Sequence, residues 1–121
     1  MVRALFDTNI LLDYLKGIEA AELEFSRYHD IAISVVSRIE VLVGVTHEIE
    51  PDVRSFLDHL PTVQLGTAVA ERTVALRRLH RVKLADAIIW ASAQMEGRLL
   101  VTRDRKDFPS DDPGIRMPYR V

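Results

Sequence analysis

Apolar and polar positions follow one another along this chain in short blocks whose period switches between that of a strand and that of a helix. Val2 to Phe6 is a mostly apolar run ending at Asp7, and Thr8 and Asn9 then open a segment with Ile10, Leu11, Tyr14 and Leu15 at helical spacing, closed by Gly17. The pattern predicts a strand and then a helix. Glu19 to His29 sets Ala20, Leu23 and Phe25 among Glu and Arg, as a second helix does, and Ile31 to Ser34 is the next strand. Ser37 precedes Ile39, Val41, Leu42 and Val45, so a third helix is expected to begin near Ser37. Pro51 stands where a fourth begins, with Phe56, Leu57 and Leu60 on its apolar side.

Pro61 ends that helix, and Thr62 to Leu65 reads as a small strand finishing at Gly66. A long helix is expected over 67–81, with Val69, Leu76 and Leu79 on one side and Arg72, Arg77, Arg78 and Arg81 mostly on others. The helix expected over 84–96 is apolar nearly all round at Ala87-Ile88-Ile89-Trp90-Ala91, which calls for burial on two sides, and Gly97 closes it. Arg98 to Thr102 is the last clear strand; the tail, with Pro109, Pro113, Gly114 and Pro118, leaves room for an edge strand at 115–117. Short strands alternating with helices imply an α/β fold whose mostly parallel central sheet is covered on both faces. In such sheets ligands bind outside the carboxyl ends of the strands.

Composition narrows the class. The 121 residues suit a single domain over 1–121, and 48% hydrophobic with 28% charged residues is a globular balance. There is no Cys, which excludes disulfides, thiolate zinc sites and cysteine nucleophiles. The first apolar run meets Asp7 too early for a signal peptide, and no stretch reaches membrane-spanning length, so a cytoplasmic protein without membrane contact is expected. The formal charge of −2 hides nine Lys or Arg against three acids between Arg72 and Lys106, a surplus that suits a polyanionic partner.

The acids fall where the strand-end rule looks for ligands. Asp7 directly follows the first strand, Glu40 lies about a helical turn beyond the second, and Asp104 follows the last clear strand by two residues. Asp86 sits near the start of the apolar helix, inside Leu84-Ala85-Asp86-Ala87-Ile88-Ile89. Carboxylates gathered at one edge repel each other unless neutralised, and a hard divalent cation with oxygen ligands is the natural counter-charge. Such a site activates water and stabilises charge on a phosphodiester, which points to metal-dependent phosphoryl transfer. Taken singly, each acid has a structural role open to it. Asp7 can cap the first helix, Ser37-Arg38-Ile39-Glu40 is a capping box, Asp86 can cap its helix or pair with Lys83 or Arg81, and Asp104 sits in a charged turn.

Other chemistries find no support. His29, His47, His59 and His80 are scattered, with no pair at zinc-binding spacing, and are read as surface or boundary residues. No serine lies in a nucleophile elbow and no phosphate-binding glycine loop precedes a Lys. Trp90 is read as core or interface rather than as a base-stacking platform.

Four segments together carry a resemblance: Phe6-Asp7-Thr8-Asn9-Ile10-Leu11-Leu12; Ser37-Arg38-Ile39-Glu40-Val41-Leu42-Val43-Gly44; Lys83-Leu84-Ala85-Asp86 through Ala93; and Leu100-Val101-Thr102-Arg103-Asp104 through Phe108. In order and spacing the chain resembles the PIN-domain ribonucleases, most closely the VapC-type toxins of prokaryotic toxin-antitoxin pairs. The resemblance implies a three-layer α/β/α domain whose Asp7, Glu40, Asp86 and Asp104 bind Mg²⁺ or Mn²⁺ and cleave RNA. Asp107 competes with Asp104 for the fourth place, with Asp104 favoured as nearer the strand and Asp107 assigned to holding the loop with Phe108. Asn9 and Thr102 fall where the family orients its acids by hydrogen bonds. Ala85 stands where many members carry Pro, a change that removes no ligand. The same resemblance implies a VapB-type antitoxin that alone contacts DNA, and a homodimer formed through the apolar helix of residues 84–96 or the first helices. An antitoxin would place a basic side chain among the acids and anchor on an apolar rim at Leu11, Leu15, Val41 and Leu42.

Two rivals share parts of this pattern. A phosphoacceptor receiver domain needs an acidic pair after the first strand and an acceptor Asp after the third, and Asp7-Thr8-Asn9 and Leu65-Gly66-Thr67-Ala68 supply neither. A haloacid-dehalogenase phosphatase needs a second Asp two residues after the first, and this chain has Asn9 there. A non-catalytic PIN-like module acting through partner protein and RNA is the remaining alternative to a nuclease.

Overall fold

The structure, a computed structural model, describes residues 1–120. Its parallel sheet is built from β1 (Ala4–Phe6), β2 (Ile31–Ser34), β3 (Thr62–Val63), β4 (Leu99–Val101) and β5 (Ile115–Arg116) in the order β3-β2-β1-β4-β5. Its helices are α1 (Thr8–Leu15), α2 (Glu19–Ser26), α3 (Val35–Gly44), α4 (Glu50–Asp58), α5 (Thr67–Leu79) and α6 (Leu84–Met95). Element types and order match the sequence pattern, with ends that shift by a few residues. Left-handed glycines, Gly17 (φ +78°) and Gly97 (φ +64°), stand just beyond α1 and α6, where a side chain would strain the turn.

Alternation along the strands makes two cores. Ala4 and Phe6 of β1, with Val101 of β4 and Ile33 of β2, face a layer holding Ile10, Leu11, Val41, Val53 and Leu57. Leu5 and Leu100 face the other way, onto Val69 and Leu76 of α5 and the apolar run of α6. Parallel strands covered on both faces are expected to be apolar throughout, and the 0% exposure of Ala4, Leu5 and Phe6 fits that. The three-layer α/β/α expectation therefore holds.

Three local expectations are corrected. α3 begins at Val35, not Ser37: Ser34 is its cap, its hydroxyl accepting from the Val36 amide at 3.1 Å. Ser37 and Glu40 thus lie inside the helix, and no capping box forms. The apolar run of α6 is not left over for a twofold interface, because α5, the sheet and Phe108 already bury Ala87 to Ala93 within one chain. Leu11 and Val41 are fully buried and cannot form an apolar rim; Leu15 is exposed and Leu42 half-buried. All four histidines are exposed, and Trp90 belongs to the core.

Candidate metal centre

The strand order reverses at β1. From there the chain builds outward to β2 and β3, then returns to the opposite side with β4 and β5. A crevice opens at the carboxyl ends of strands flanking such a reversal, because the connections leave in opposite directions. Asp7 is the first residue after β1, and Thr102 the first after β4, so both enter this crevice from adjacent, paired strands.

Asp7 is buried and fully hydrogen-bonded. Its Oδ1 accepts from the Thr8 amide at 2.7 Å, as the cap of α1, and its Oδ2 accepts from Thr102 Oγ1 at 2.7 Å and Asn9 Nδ2 at 3.2 Å. Capping and site roles thus coincide in one side chain. Thr102 Oγ1 in turn accepts from the Asp104 amide at 3.1 Å, and Asn9 Oδ1 from the Arg103 amide at 3.3 Å. Asn9 and Thr102 therefore hold both Asp7 and the segment that carries Asp104.

Glu40 is reached through a relay the sequence did not single out. Thr8 Oγ1 donates to Glu40 Oε1 at 2.6 Å and lies 3.0 Å from Ser37 Oγ. One hydroxyl carries one proton, so with Thr8 donating to the carboxylate, Ser37 donates to Thr8. The spacing of Ser37 and Glu40 on one helical face was the available signal, and the capping-box reading absorbed it.

Asp86, Asp104 and Asp107 each offer an oxygen, and these three atoms lie within 4.8 Å of one another. Asp86 stands in the first turn of α6, where helical amides favour negative charge, yet it neither caps the helix nor pairs with Lys83 or Arg81. Lys83 instead approaches Asp107, Nζ to Oδ2 at 3.9 Å, from an exposed position. The loop is held by Asp104 rather than Asp107: Asp104 Oδ1 accepts from the amides of Lys106 at 3.1 Å and Asp107 at 3.0 Å. Both acids thus reach the cluster, and Asp104 shapes its loop as well.

The charges betray their crowding. Burial pushes the Asp7 carboxyl up to about 6, with the charges of Glu40 and Asp104 adding to it and the hydrogen bonds of Thr102 and Thr8 opposing it. Asp86 is pushed up to about 7, by burial first and then by Asp7, Asp104, Asp107 and Glu40. Hard oxygen donors at this spacing, costly to ionise together, fit a divalent cation.

A second buried acid stands one helix-length away. Asp13, at the far end of α1, takes Arg103 Nε at 2.6 Å and its terminal nitrogen at 3.2 Å, and accepts from the Tyr119 hydroxyl at 2.7 Å. This fork locks the residue between Thr102 and Asp104 onto α1 and ties the C-terminal tail beside it. Sequence reading missed it, since the partners are separated by 90 and 106 positions.

Comparison with known proteins agrees with the fold. The chain is similar over 98% of its length, and over 99% of the other chain, to a toxin-antitoxin complex component from Klebsiella pneumoniae, with 39% identity and a TM-score of 0.92. Its fold is shared with a chain of DNA-bound VapBC from Salmonella typhimurium (23% identity, 96% of each chain, TM-score 0.76). The same holds for a chain of VapBC2 from Rickettsia felis bound to a promoter DNA fragment (22% identity, 95% of this chain and 96% of that one, TM-score 0.75). No match is found among curated protein sequences. The PIN domain profile matches residues 4–110, from β1 past the Asp104 loop, and the chain belongs to the PIN-domain family.

Proposed function

We propose that this protein is a Mg²⁺-dependent endoribonuclease, with Mn²⁺ as a possible substitute, and the toxin of a VapBC-type pair. The observation that carries the reading is the set of five carboxylates, Asp7, Glu40, Asp86, Asp104 and Asp107, with which, among the described residues, only the exposed Lys83 forms an ion pair. The 39%-identical relative from a toxin-antitoxin complex supports the biological role. A cytoplasmic setting and a homodimer belong to the same proposal; among the described residues no helix is long and apolar enough to cross a membrane.

Asp86, Asp104 and Asp107 would hold the ion, with Asp7 adding its charge from the floor of the crevice. When bound, a divalent cation supplies Lewis acidity toward a phosphoryl oxygen and acidifies water for in-line attack. The protein's share is positioning. Thr8, Asn9 and Thr102 fix the carboxylates before substrate arrives, so little reorganisation is left for the reaction step. Glu40 is exposed and held through one oxygen, which leaves the other for a cation or a water.

A VapB-type antitoxin is expected to inhibit by setting an Arg or Lys among these acids, in competition with the cation. Its apolar anchor is redrawn from the structure: Ile39 and Val43, exposed by 56% and 81%, lie one turn apart on α3, the helix that carries Glu40. DNA contact would come only through the antitoxin.

Asp7→Asn tests the nuclease reading, since it keeps size and removes charge. Cleavage of RNA in Mg²⁺ is expected to fall by on the order of 10³ while the protein stays folded. Cleavage of the same RNA at near wild-type rate would overturn the assignment, and wild-type protein that binds RNA but never cuts it would favour the non-catalytic module.

A further inference from the structure

The chain turns from α5 into α6 around an open cavity of about 410 Å³ lined by Arg77, His80, Arg81, Val82 and Lys83. Apart from Val82, every lining side chain is basic. Val82 is buried in the core and pins the turn, and Arg77 Nε donates to its carbonyl at 3.2 Å, so Arg77 is held at the cavity wall. His80 packs on Trp90 with ring centroids 4.9 Å apart, which fixes another wall. Among the described residues, Arg77 and Arg81 form no ion pair with a carboxylate. Cations collected this way repel each other until an anion joins them.

Position supplies the anion's identity. Lys83 lines the cavity and also lies 3.9 Å from Asp107, itself part of the Asp86, Asp104 and Asp107 cluster. Cavity and cleft therefore adjoin across one side chain. An RNA whose scissile phosphate sits at the cluster carries further phosphates on both sides, and the cavity lies beside that cluster. We propose that the cavity binds a backbone phosphate neighbouring the one that is cut, with Arg77 and Arg81 as charge-assisted donors. The proposal rests on the nuclease reading and names where its substrate lies. RNA is favoured over an acidic peptide because a peptide carboxylate would be repelled by the adjoining acids, whereas a cleft phosphodiester shares a cation with them.

The test uses the full chain and a labelled single-stranded RNA in excess chelator, so that binding is read without cleavage. Anisotropy titrations over a series of salt concentrations give the slope of log K against log salt. Arg77→Gln with Arg81→Gln is expected to lower that slope by about 0.7, the loss of one neutralised phosphate, and Arg81→Gln alone by a measurable part of it. In Mg²⁺ the double variant should show a raised KM for RNA with kcat close to wild type. Arg54→Gln, on α4 in the opposite layer, should change neither. Arg81 is exposed and unpaired, so the single variant decides the matter should the double variant fail to fold. An unchanged slope and affinity in a folded variant overturns the site and leaves the nuclease reading intact. Lost antitoxin binding with RNA affinity unchanged also overturns it, and assigns the cavity to the partner. Wild-type protein that binds RNA with the full slope but never cuts it overturns the nuclease and leaves the phosphate site standing.

Discussion

Asp7 and Asp13 bracket α1, and both are buried, yet the fold handles their charges in opposite ways. At Asp13 burial works against the ionised form, but the hydrogen bonds and charge of Arg103, with the Tyr119 hydroxyl, outweigh it and hold the carboxyl below its ordinary range. Glu24, buried on α2, also meets an arginine inside the chain, with Arg116 donating to it at 2.7 and 3.0 Å. At Asp7 the neighbours are neutral donors and other acids, and the carboxyl is pushed up to about 6. Structural acids in this protein carry their counter-ion within the chain, whereas among the cleft acids only Asp107 meets a cation, the exposed Lys83 at 3.9 Å.

The largest effect is expected on the balanced side. Arg103→Ala leaves Asp13 buried without its cation, and breaking a buried pair in this way costs about 3–5 kcal/mol. Thermal or denaturant unfolding measures it. Replacing both partners at once by apolar residues of similar volume should recover most of the loss, since the cost lies in the orphaned charge. A loss under about 1 kcal/mol in Arg103→Ala would show that solvent reaches Asp13 and would erase the contrast.

The unbalanced side predicts a pH dependence of opposite sign to ordinary acid denaturation. A carboxyl whose folded value is raised, here from 3.8 to about 6, binds its proton more tightly folded than unfolded. Metal-free protein should therefore lose stability as pH rises from about 4 to about 7, and Asp86, pushed up to about 7, extends the loss upward. Below about 4 the lowered carboxyl of Asp13 reverses the trend. For Asp7 alone the penalty at neutral pH is about 3 kcal/mol. Unfolding in chelator across this range should show a maximum near pH 4 to 5, flattened by Asp7→Asn, and added Mg²⁺ should restore stability at neutral pH by binding the ionised form. Stability that climbs steadily to pH 7 without metal would mean the acids are neutralised internally.

The contrast was half legible in the sequence. Strand-end placement located Asp7, Glu40 and Asp104, and the apolar surroundings of Asp86 marked it as unusual, because local period and position along an element are written in adjacent residues. Asn9 and Thr102 followed from resemblance. What stayed hidden depends on contacts between distant positions. Arg103 looked like one charge in a charged turn, and nothing near it names Asp13 or Tyr119. The cover that α5 gives α6 was equally invisible, so an apolar helix looked unpartnered. At α3, two hydroxyls three residues apart competed for the cap, and Ser34 won because it ends β2 in extended conformation while Ser37 is already within the helix.

The smallest predicted effect concerns the relay through Thr8. Thr8→Val keeps the β-branched shape at the start of α1 and deletes only the hydroxyl that donates to Glu40 at 2.6 Å and meets Ser37 at 3.0 Å. The Asp7 cap uses the Thr8 amide, which the substitution retains, so the helix start should survive. Glu40 is exposed and keeps its charge, but it would sample several rotamers in place of one, and Ser37 would lose its acceptor. Groups that orient a metal-binding carboxylate are typically worth 10- to 100-fold in metal affinity or activity, about 1.4–2.7 kcal/mol. Mg²⁺ binding by calorimetry and RNA cleavage as a function of Mg²⁺ should both shift within that range, with unfolding nearly unchanged. Thr8→Ser restores the donor and should recover most of the loss, an outcome that a purely structural role for the methyl group would not produce. If Thr8→Val binds Mg²⁺ and cuts RNA within twofold of wild type, Glu40 does not depend on the relay, and its place in the cleft must be carried by α3 alone.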